Sequence, residues 1–532
     1  MTNLLLHGID IPKNVKSGNS LARPLRDWNS NEKVDVIVTN PPFGGIEEDG
    51  IEKNFPGEFQ TKETADLFLV LMMRLLKNGG RAGLVLPDGT LFGEGVKTRI
   101  KEALLKDCNL HTIIRLPKSV FAPYTSISTN LLFFNKGEPT KEIWFYEHQL
   151  PKGVKAYKPD LSNITKLCEI IGNPQKDIKT IHVAGTNGKG SVCNFLANIY
   201  IESGYKVGLF TSPHLIDFRE RIKIDGKKIK KENVIEFVKK NRDEFEKINM
   251  SFFEYTVAMA FDEFNKQKVD IAIIETGLGG RLDSTNIITP ELSIITNIGF
   301  DHMNLLGNTL EKIAFEKAGI IKKNIPTIIG RKQKEIEHIF IKVAKEKKSH
   351  IIFAKKYENS LNPKLAEYQK ENIGTAVTAI KALDWQINDK IIKLGIENVI
   401  LNTGIRGRWE TIGEKPKIIC DTGHNIDGIK NILLELEKIN FEKLHFVFGT
   451  VNDKKLDEIL AILPKKAQYY FCQAKIDRAF CSKKLKIKAD KFNISGIAYD
   501  SVEIALKNAK NYAKEDDLII VGGSTFVVAE VL

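Results

Sequence analysis

The stretch Gly185-Thr186-Asn187-Gly188-Lys189-Gly190-Ser191 follows an apolar run, Thr180–Ala184, and opens a helical pattern. A turn of this kind aims successive backbone N–H groups at phosphate oxygens, and the helix start adds positive partial charge. Lys189 could reach a β- or γ-phosphate and Ser191 a Mg²⁺ ion, although a glycine separates the two here, unlike the usual phosphate loop. Glu275 ends a second apolar run, "VDIAIIE". It would stand at the same carboxyl edge of a parallel sheet, where a carboxylate can hold Mg²⁺. A third run, "LSIITNIGF", precedes Asp301-His302. His302 alone is more often a satisfied polar residue than a ligand. Three strand ends carrying Lys and Ser, Glu, and Asp-His change that weighing. Lys317 closes the helical stretch "LEKIAFEKAGIIK" just before Gly319, where a solvated lysine at a helix C-terminus is the plain alternative.

A different chemistry is written at Asn40-Pro41-Pro42-Phe43. The Asn40 amide oxygen and the Pro41 carbonyl could accept from the amino group of a flipped adenine, with Phe43 stacked on the base. The two prolines stiffen the turn. An ordinary strand-to-loop turn is the alternative.

The elements that would hold these groups follow from periodicity. Val34–Val38 reads as a buried parallel strand. "ADLFLVLMMRLLKNGGRAGLVLPDGTLF" reads as an amphipathic helix, a stop at Gly79-Gly80, then a strand, and "HTIIRLP" and "STNLLFFNK" continue the strands. That alternation predicts a doubly wound α/β fold. The loop at 185–191 lies in a second strand–turn–helix series of the same class.

The chain has 532 residues, enough for two to four domains. No apolar run reaches the roughly 18 residues of a membrane span, and "MTNLLLHGIDIPK" lacks the features of a signal peptide. The six cysteines form no CxxC pair, which favours reduced thiols and a cytoplasmic location over disulfides or zinc. The net charge of +12 suits nucleic acid, ATP or a polyanionic substrate, although lysines on solvated helix faces account for it as simply.

The order of "VDVIVTNPPFGG", the helix and the strands after it resembles the methylation subunit of type I restriction-modification systems, the N6-adenine DNA methyltransferases, over nearly all of residues 3–150. The resemblance implies a Rossmann-like sheet and a base pocket at Asn40–Phe43. The upstream strand and Gly-rich turn that would seat S-adenosylmethionine are not found, and Asn19-Ser20-Leu21 stands where that family tends to show Asp-Ser-Leu. No S-adenosylmethionine site, no methylation and no DNA binding are expected from this fragment alone.

Over residues 160–532, "GTNGKGS", "TSPHLIDFRERI", "IIETGLGGRLDSTN", "GFDHMNLLG", "FEKAGIIK", "IRGRWE", "DTGHNIDGI", "GTVNDKK" and "GGSTFVVAE" stand in an order similar to folylpolyglutamate synthase / dihydrofolate synthase, of the Mur ligase superfamily. The resemblance implies a phosphate-loop ATPase domain followed by a smaller Rossmann-like α/β domain. It implies ATP binding by Gly185–Ser191, Asn372, Arg408 and Asp421. Mg²⁺ ligands would be Ser191, Glu275 and His302, and a carbamylated Lys317 would be a ligand for a second Mg²⁺. His424 would lie near the nucleotide, and Arg408 would clamp phosphates from the smaller domain. The loop Thr211–Ile222, with Ser212, Pro213, His214, Arg219 and Arg221, would face the pterin acid, the two arginines being equally readable as surface charge. The implied reaction joins L-glutamate to dihydropteroate or a folyl-glutamate through an acyl phosphate, in a monomer whose smaller domain swings onto the larger.

The expected domains are 1–157, 158–404 and 405–532. "KAYK" at 155–158 fits either family's pattern, and no Gly/Ser- or Pro-rich linker separates the halves, so two joined fragments are expected rather than a selected bifunctional enzyme. Helix-bearing sequence usual before "DLSN" is replaced, and the stretch after Phe353 is short. Rival readings are a DNA adenine methyltransferase component carrying a passenger, and another Mur-type ligase.

Overall fold

The structure, a computed structural model, describes residues 18–42, 45–116, 129–147, 160–245, 248, 250–359, 365–451, 456–476 and 479–532. Phe43 of the Asn-Pro-Pro-Phe stretch and residues 148–159 of the joint lie outside them. Two compact units divide the chain, Met1–Pro159 and Asp160–Leu532.

The first unit holds a sheet of β1 (Val34–Thr39), β2 (Leu76–Pro87), β3 (Cys108–Arg115), β4 (Thr129–Lys136) and β5 (Trp144–Glu147), in the order β1-β2-β4-β3-β5. The helix Thr64–Leu75 buries Leu67, Leu69 and Leu71 in one core with Leu84, Leu86, Leu132 and Phe134 of the sheet. Two expectations need correction. β1 is parallel to β2, but it is an edge strand rather than a buried one. Val34, Val36 and Val38 are 41%, 50% and 84% exposed. An apolar run cannot report whether a neighbouring strand covers it. Gly79-Gly80 does not stop the helix, which ends at Leu75. The glycines sit inside β2, where the register slips between Val34↔Leu76 and Val36↔Arg81. The positive φ of Gly79 serves that bulge.

The second unit holds two sheets. The larger consists of β6 (Thr180–Ala184), β7 (Val207–Phe210), β8 (Ile222–Ile224), β9 (Lys227–Lys228), β10 (Ile271–Glu275), β11 (Leu292–Ile295), β12 (Thr327–Ile329) and β13 (Ile351–Phe353). Its order is β13-β12-β11-β6-β10-β7-β8-β9, parallel from β13 to β7. Every residue of β6, β10 and β11 is buried, as the continuous apolar runs require of strands covered on both faces. β6 lies between β10 and β11, so the chain ends of all three open onto one crevice. The helix Lys189–Glu202 is buried along most of its length and shares its core with Ile373, Ala376, Ile392 and Ile396 of two later helices.

The smaller sheet consists of β14 (Glu410–Glu414), β15 (Lys417–Asp421), β16 (Leu444–Phe448), β17 (Gln468–Phe471), β18 (Gly496–Ala498) and β19 (Leu518–Gly522), in the order β14-β15-β19-β16-β17-β18. Only β14 runs antiparallel. All six cysteines are free thiols. Among the described residues no helix is long and apolar enough to cross a membrane.

Candidate active site

The turn after β6 is shaped by two glycines. Gly188 has φ +83°, and a Cβ there would collide with Asn372 Oδ1. A Cβ at Gly185 would collide with Thr296 Oγ1. Thr296 Oγ1 donates to Asn187 O at 2.6 Å, Asn187 N donates to Asn297 Oδ1 at 2.8 Å, and Thr186 N donates to Asn297 O at 2.9 Å. The residues just after β11 therefore fix the loop from below. No side chain caps the helix that starts at Lys189, which leaves its first N–H groups for an anion. Lys189 Nζ folds back to Gly185 O and Thr186 O at 3.2 and 3.3 Å. Ser191 Oγ accepts from Gln369 Nε2 at 3.3 Å.

Glu275 ends β10 and is 4% exposed. Ser212 N donates to its Oε2 at 3.1 Å. Burial raises its pKa, while Lys189, the Ser212 N–H, Arg408 and Arg221 act against that rise. A Cβ at Gly190 would stand 3.6 Å from Glu275 Oε2 and 3.9 Å from Arg408 Nη2. The carboxylate, the loop and the arginine of the following sheet thus converge on one place.

Lys317 is 4% exposed, and its Nζ donates to Gly185 O at 2.8 Å. The reading of a solvated helix-end lysine is corrected: the helix end packs beneath the phosphate loop. Burial, and secondarily Lys189, lowers its pKa to about 7. His302 adopts φ +49°, and its side chain is 39% exposed. It follows Asp301, whose Oδ2 lies 3.2 Å from His424 Nε2 and accepts from Asn425 Nδ2 at 3.3 Å.

A cleft of about 820 Å³ joins these groups. Thr186–Ser191, Ser212, Pro213, Arg219, Glu275, Asn372, Arg408, Asp421 and His424 line it, whereas Gly185, His214, Arg221, His302 and Lys317 do not. The two arginines part company. Arg219 pairs with Asp217 at 2.6 Å. Arg221 is 9% exposed, and its Nε donates to His214 Nδ1 at 2.8 Å; burial lowers its pKa. Neither is loose surface charge. Asp421 is braced by three donors: Tyr368 OH at 2.7 Å, Trp409 N at 2.8 Å and Gly423 N at 2.8 Å.

The sequence reading missed residues that tie the two sheets together. Asn187 and Asn425 exchange side-chain bonds of 3.1 and 2.9 Å, and Tyr368 reaches Asp421. Asn425 was legible only as the N-cap of the helix Ile426–Leu436, whose Gly428 N it accepts. Arg331 and Glu371, bidentate at 2.7 and 2.5 Å, also line the cleft and had no motif to mark them.

The donor set fits a nucleotide phosphate and a divalent cation. The uncapped helix start and Lys189 supply donors for the first. For the second, a cation beside Glu275 would relieve a buried carboxylate that receives a single hydrogen bond from Ser212. Ser212 stands nearer this role than the sequence placed it. Among the described residues no three His, Cys, Asp or Glu side chains gather into a metal cluster.

The fold and sequence of the second unit are similar to those of known proteins. Residues 183–402 match the Mur ligase middle domain and residues 407–525 the Mur ligase, glutamate ligase domain, so the class is that of the Mur ligases. The chain is 32% identical over 412 residues to the dihydrofolate synthase/folylpolyglutamate synthase of Bacillus subtilis, covering 70% of this chain and 94% of that one. A similarly titled protein of Buchnera aphidicola is 34% identical over 391 residues, with 93% of its length covered. This chain belongs to the dihydrofolate synthase/folylpolyglutamate synthase family. The structure of E. coli FolC in complex with DHPP and ADP superposes with a TM-score of 0.65 at 28% identity, over 71% of this chain and 93% of that one.

Residues 1–183 match the N-6 DNA methylase family, and 156 residues are 67% identical to the EcoEI type I methylase subunit of Escherichia coli. The match spans only 31% of that subunit's length, and the chain spans about half (48%) of a probable bifunctional folylpolyglutamate synthase/dihydropteroate synthase of Haloferax volcanii.

Proposed function

We propose that this chain is an ATP-dependent ligase that joins L-glutamate to a pterin acid, dihydropteroate or a folyl-glutamate. The observation that carries this is the convergence of the Gly185–Ser191 loop, Glu275 and Arg408 on one cleft whose other wall is the Ser212–Arg219 loop. The domains that do this work are 158–404 and 405–532. The bound structures of relatives, with ADP and DHPP or with Mn, AMPPNP and L-glutamate, support the choice of ligands.

The loop N–H groups and Lys189 would hold the β- and γ-phosphates, with Asn372 and Asp421 on the nucleotide. Arg408 reaches the same phosphates from the second sheet. A divalent cation held by Ser191, Glu275 and His302, and a second held by a carbamylated Lys317, would offset phosphate charge. The substrate carboxylate attacks the γ-phosphorus and the bond to the β–γ bridging oxygen breaks, releasing ADP and leaving an acyl phosphate. The amine of glutamate then attacks the acyl carbon, phosphate leaves, and the nitrogen loses its proton as the amide forms. Both steps move negative charge toward Lys189 and Arg408, which are already oriented by their neighbours. The contacts of Asn425 with Asn187 and of His424 with Asp301 hold the second sheet over the loop.

Residues 1–157 are assigned no part in ligation: the phosphate loop, Glu275 and Arg408 all belong to the second unit. The test is ADP release by the full chain with ATP, Mg²⁺, glutamate and each pterin acid in turn. Release that needs both the acid and glutamate supports the reading. S-adenosylmethionine binding with no acid-dependent ADP release would favour the methyltransferase rival, and turnover only with a cell-wall precursor another Mur-type ligase.

A further inference from the structure

The segment that joins the two sheets of the second unit is fixed at both ends, while its middle is held by side chains alone, Arg406 pairing with Glu410 and Ile405 packing on the core. At its upstream end stands the short helix Val399–Thr403. Asn398 Nδ2 and Asn402 Nδ2 both donate to Glu202 Oε1, at 3.0 and 2.7 Å, and Glu202 ends the helix that grows from the phosphate loop. In the β8–β9 turn, a Cβ at Gly226 would collide with Asn402 O. Lys223 of β8 is 9% exposed, and its Nζ donates to Thr403 O at 2.7 Å. At the downstream end Gly407 N donates to Glu410 Oε2 at 2.7 Å, Thr422 N donates to Gly407 O at 3.0 Å, and Trp409 N is held by Asp421. Between these anchors Gly404 takes φ +63°. Ile405 and Arg406 make no backbone hydrogen bond among the described residues. The matched Mur ligase segments leave the same gap, ending at 402 and resuming at 407.

A buried lysine is an expensive way to satisfy one carbonyl, since its charge loses water. A methionine would fill similar space without that cost. β8 also directly follows the loop Thr211–Arg221, and Lys223, Gly226 and Thr403–Arg406 line the cleft with that loop. We propose that Lys223 is a positioning residue for ligation: by holding Thr403 O, it sets the root of the pivot Gly404–Arg406, and hence the placement of Arg408, from the strand that carries the acid-side loop. This rests on the ligase reading above.

The test uses K223M and K223R in the full chain, with steady-state ADP release and a fluorophore pair that reads the distance between the two sheets of the second unit. K223M is expected to lower kcat about tenfold, the loss of one charged hydrogen bond, with the KM for ATP within about twofold and a broader distance distribution. K223R, which keeps a charged donor, is expected to recover most of both. Wild-type kcat and distances in K223M overturn the proposal, as does K223R failing as badly as K223M. Should K223M not fold, G226A pushes on Asn402 from the same turn; unchanged kcat and distances there also overturn it. Absence of ADP release from the wild type with every pterin acid would sink the ligase reading instead, while the distance measurement would still read the hold of Lys223 on the pivot.

Discussion

Lys317 lies under the phosphate loop with its ammonium on Gly185 O, and burial brings its pKa to about 7. Below that pH the side chain is an ammonium that cannot attack CO₂; above it the free amine can form a carbamate. Trapping of labelled CO₂ on Lys317 should therefore rise between pH 6 and pH 8, and a flat profile would remove the carbamate from the proposed metal set. Lys317→Ala should lose ligation and recover part of it with small carboxylates. Full activity of the variant at low Mg²⁺ would show that this side chain is structural. Lys189→Ala should bring glutamate-dependent ADP release to background while the melting temperature holds, because Lys189 bonds to Gly185 O and Thr186 O of the loop it would share with phosphate. Near-normal turnover would refute its role. The residue types and spacing at 185–191 and 275 pointed to phosphate and metal, whereas Lys317 entered only through the family resemblance. Tyr368, Asn425 and Arg331 did not, because each acts across a gap of tens to hundreds of residues that local pattern cannot see.

Strands were more legible than their surroundings. β6, β10 and β11 are buried on both faces, as apolar runs without alternation predict. The same argument failed for β1, since Val34–Val38 is as apolar but occupies a sheet edge. Gly79-Gly80 misled for a related reason: a glycine pair marks a break in regular backbone, and a bulge in β2 is as much a break as a helix stop. Gly188 is the case where backbone requirement and site coincide. Gly188→Ala meets both a left-handed φ and the Asn372 side chain, a strain of order 1–3 kcal/mol. ATP affinity by calorimetry is expected to fall at least about fivefold with the fold intact; an unchanged Kd would mean that the loop relaxes freely. At the exposed edge, Val38→Lys is expected to slow aggregation of the full chain without altering ligation kinetics.

At the scale of the whole chain, the question is whether residues 1–159 serve the ligase. The helix Ser162–Ile170 and its C-cap Ile171 carry the stripe Ile164, Leu167 and Ile171, which needs an apolar partner. If the methylase-like segment supplied that partner, the fusion would be structural. Ile164, Leu167 and Cys168 are instead fully buried in a core with Val257, Phe261 and Phe264 of the helix Phe252–Lys266, and Ile171 packs on the same cluster. That core lies within the second unit. A chain of residues 160–532 should therefore keep its melting temperature within a few degrees of the ligase transition in the full protein. It should also keep kcat and the KM for the pterin acid. Comparison of the two proteins by calorimetry and steady-state ADP release decides the matter. A large fall in melting temperature, or a pterin acid KM raised severalfold on truncation, would show that the methylase-like segment supports the acid-side wall by contacts other than that stripe.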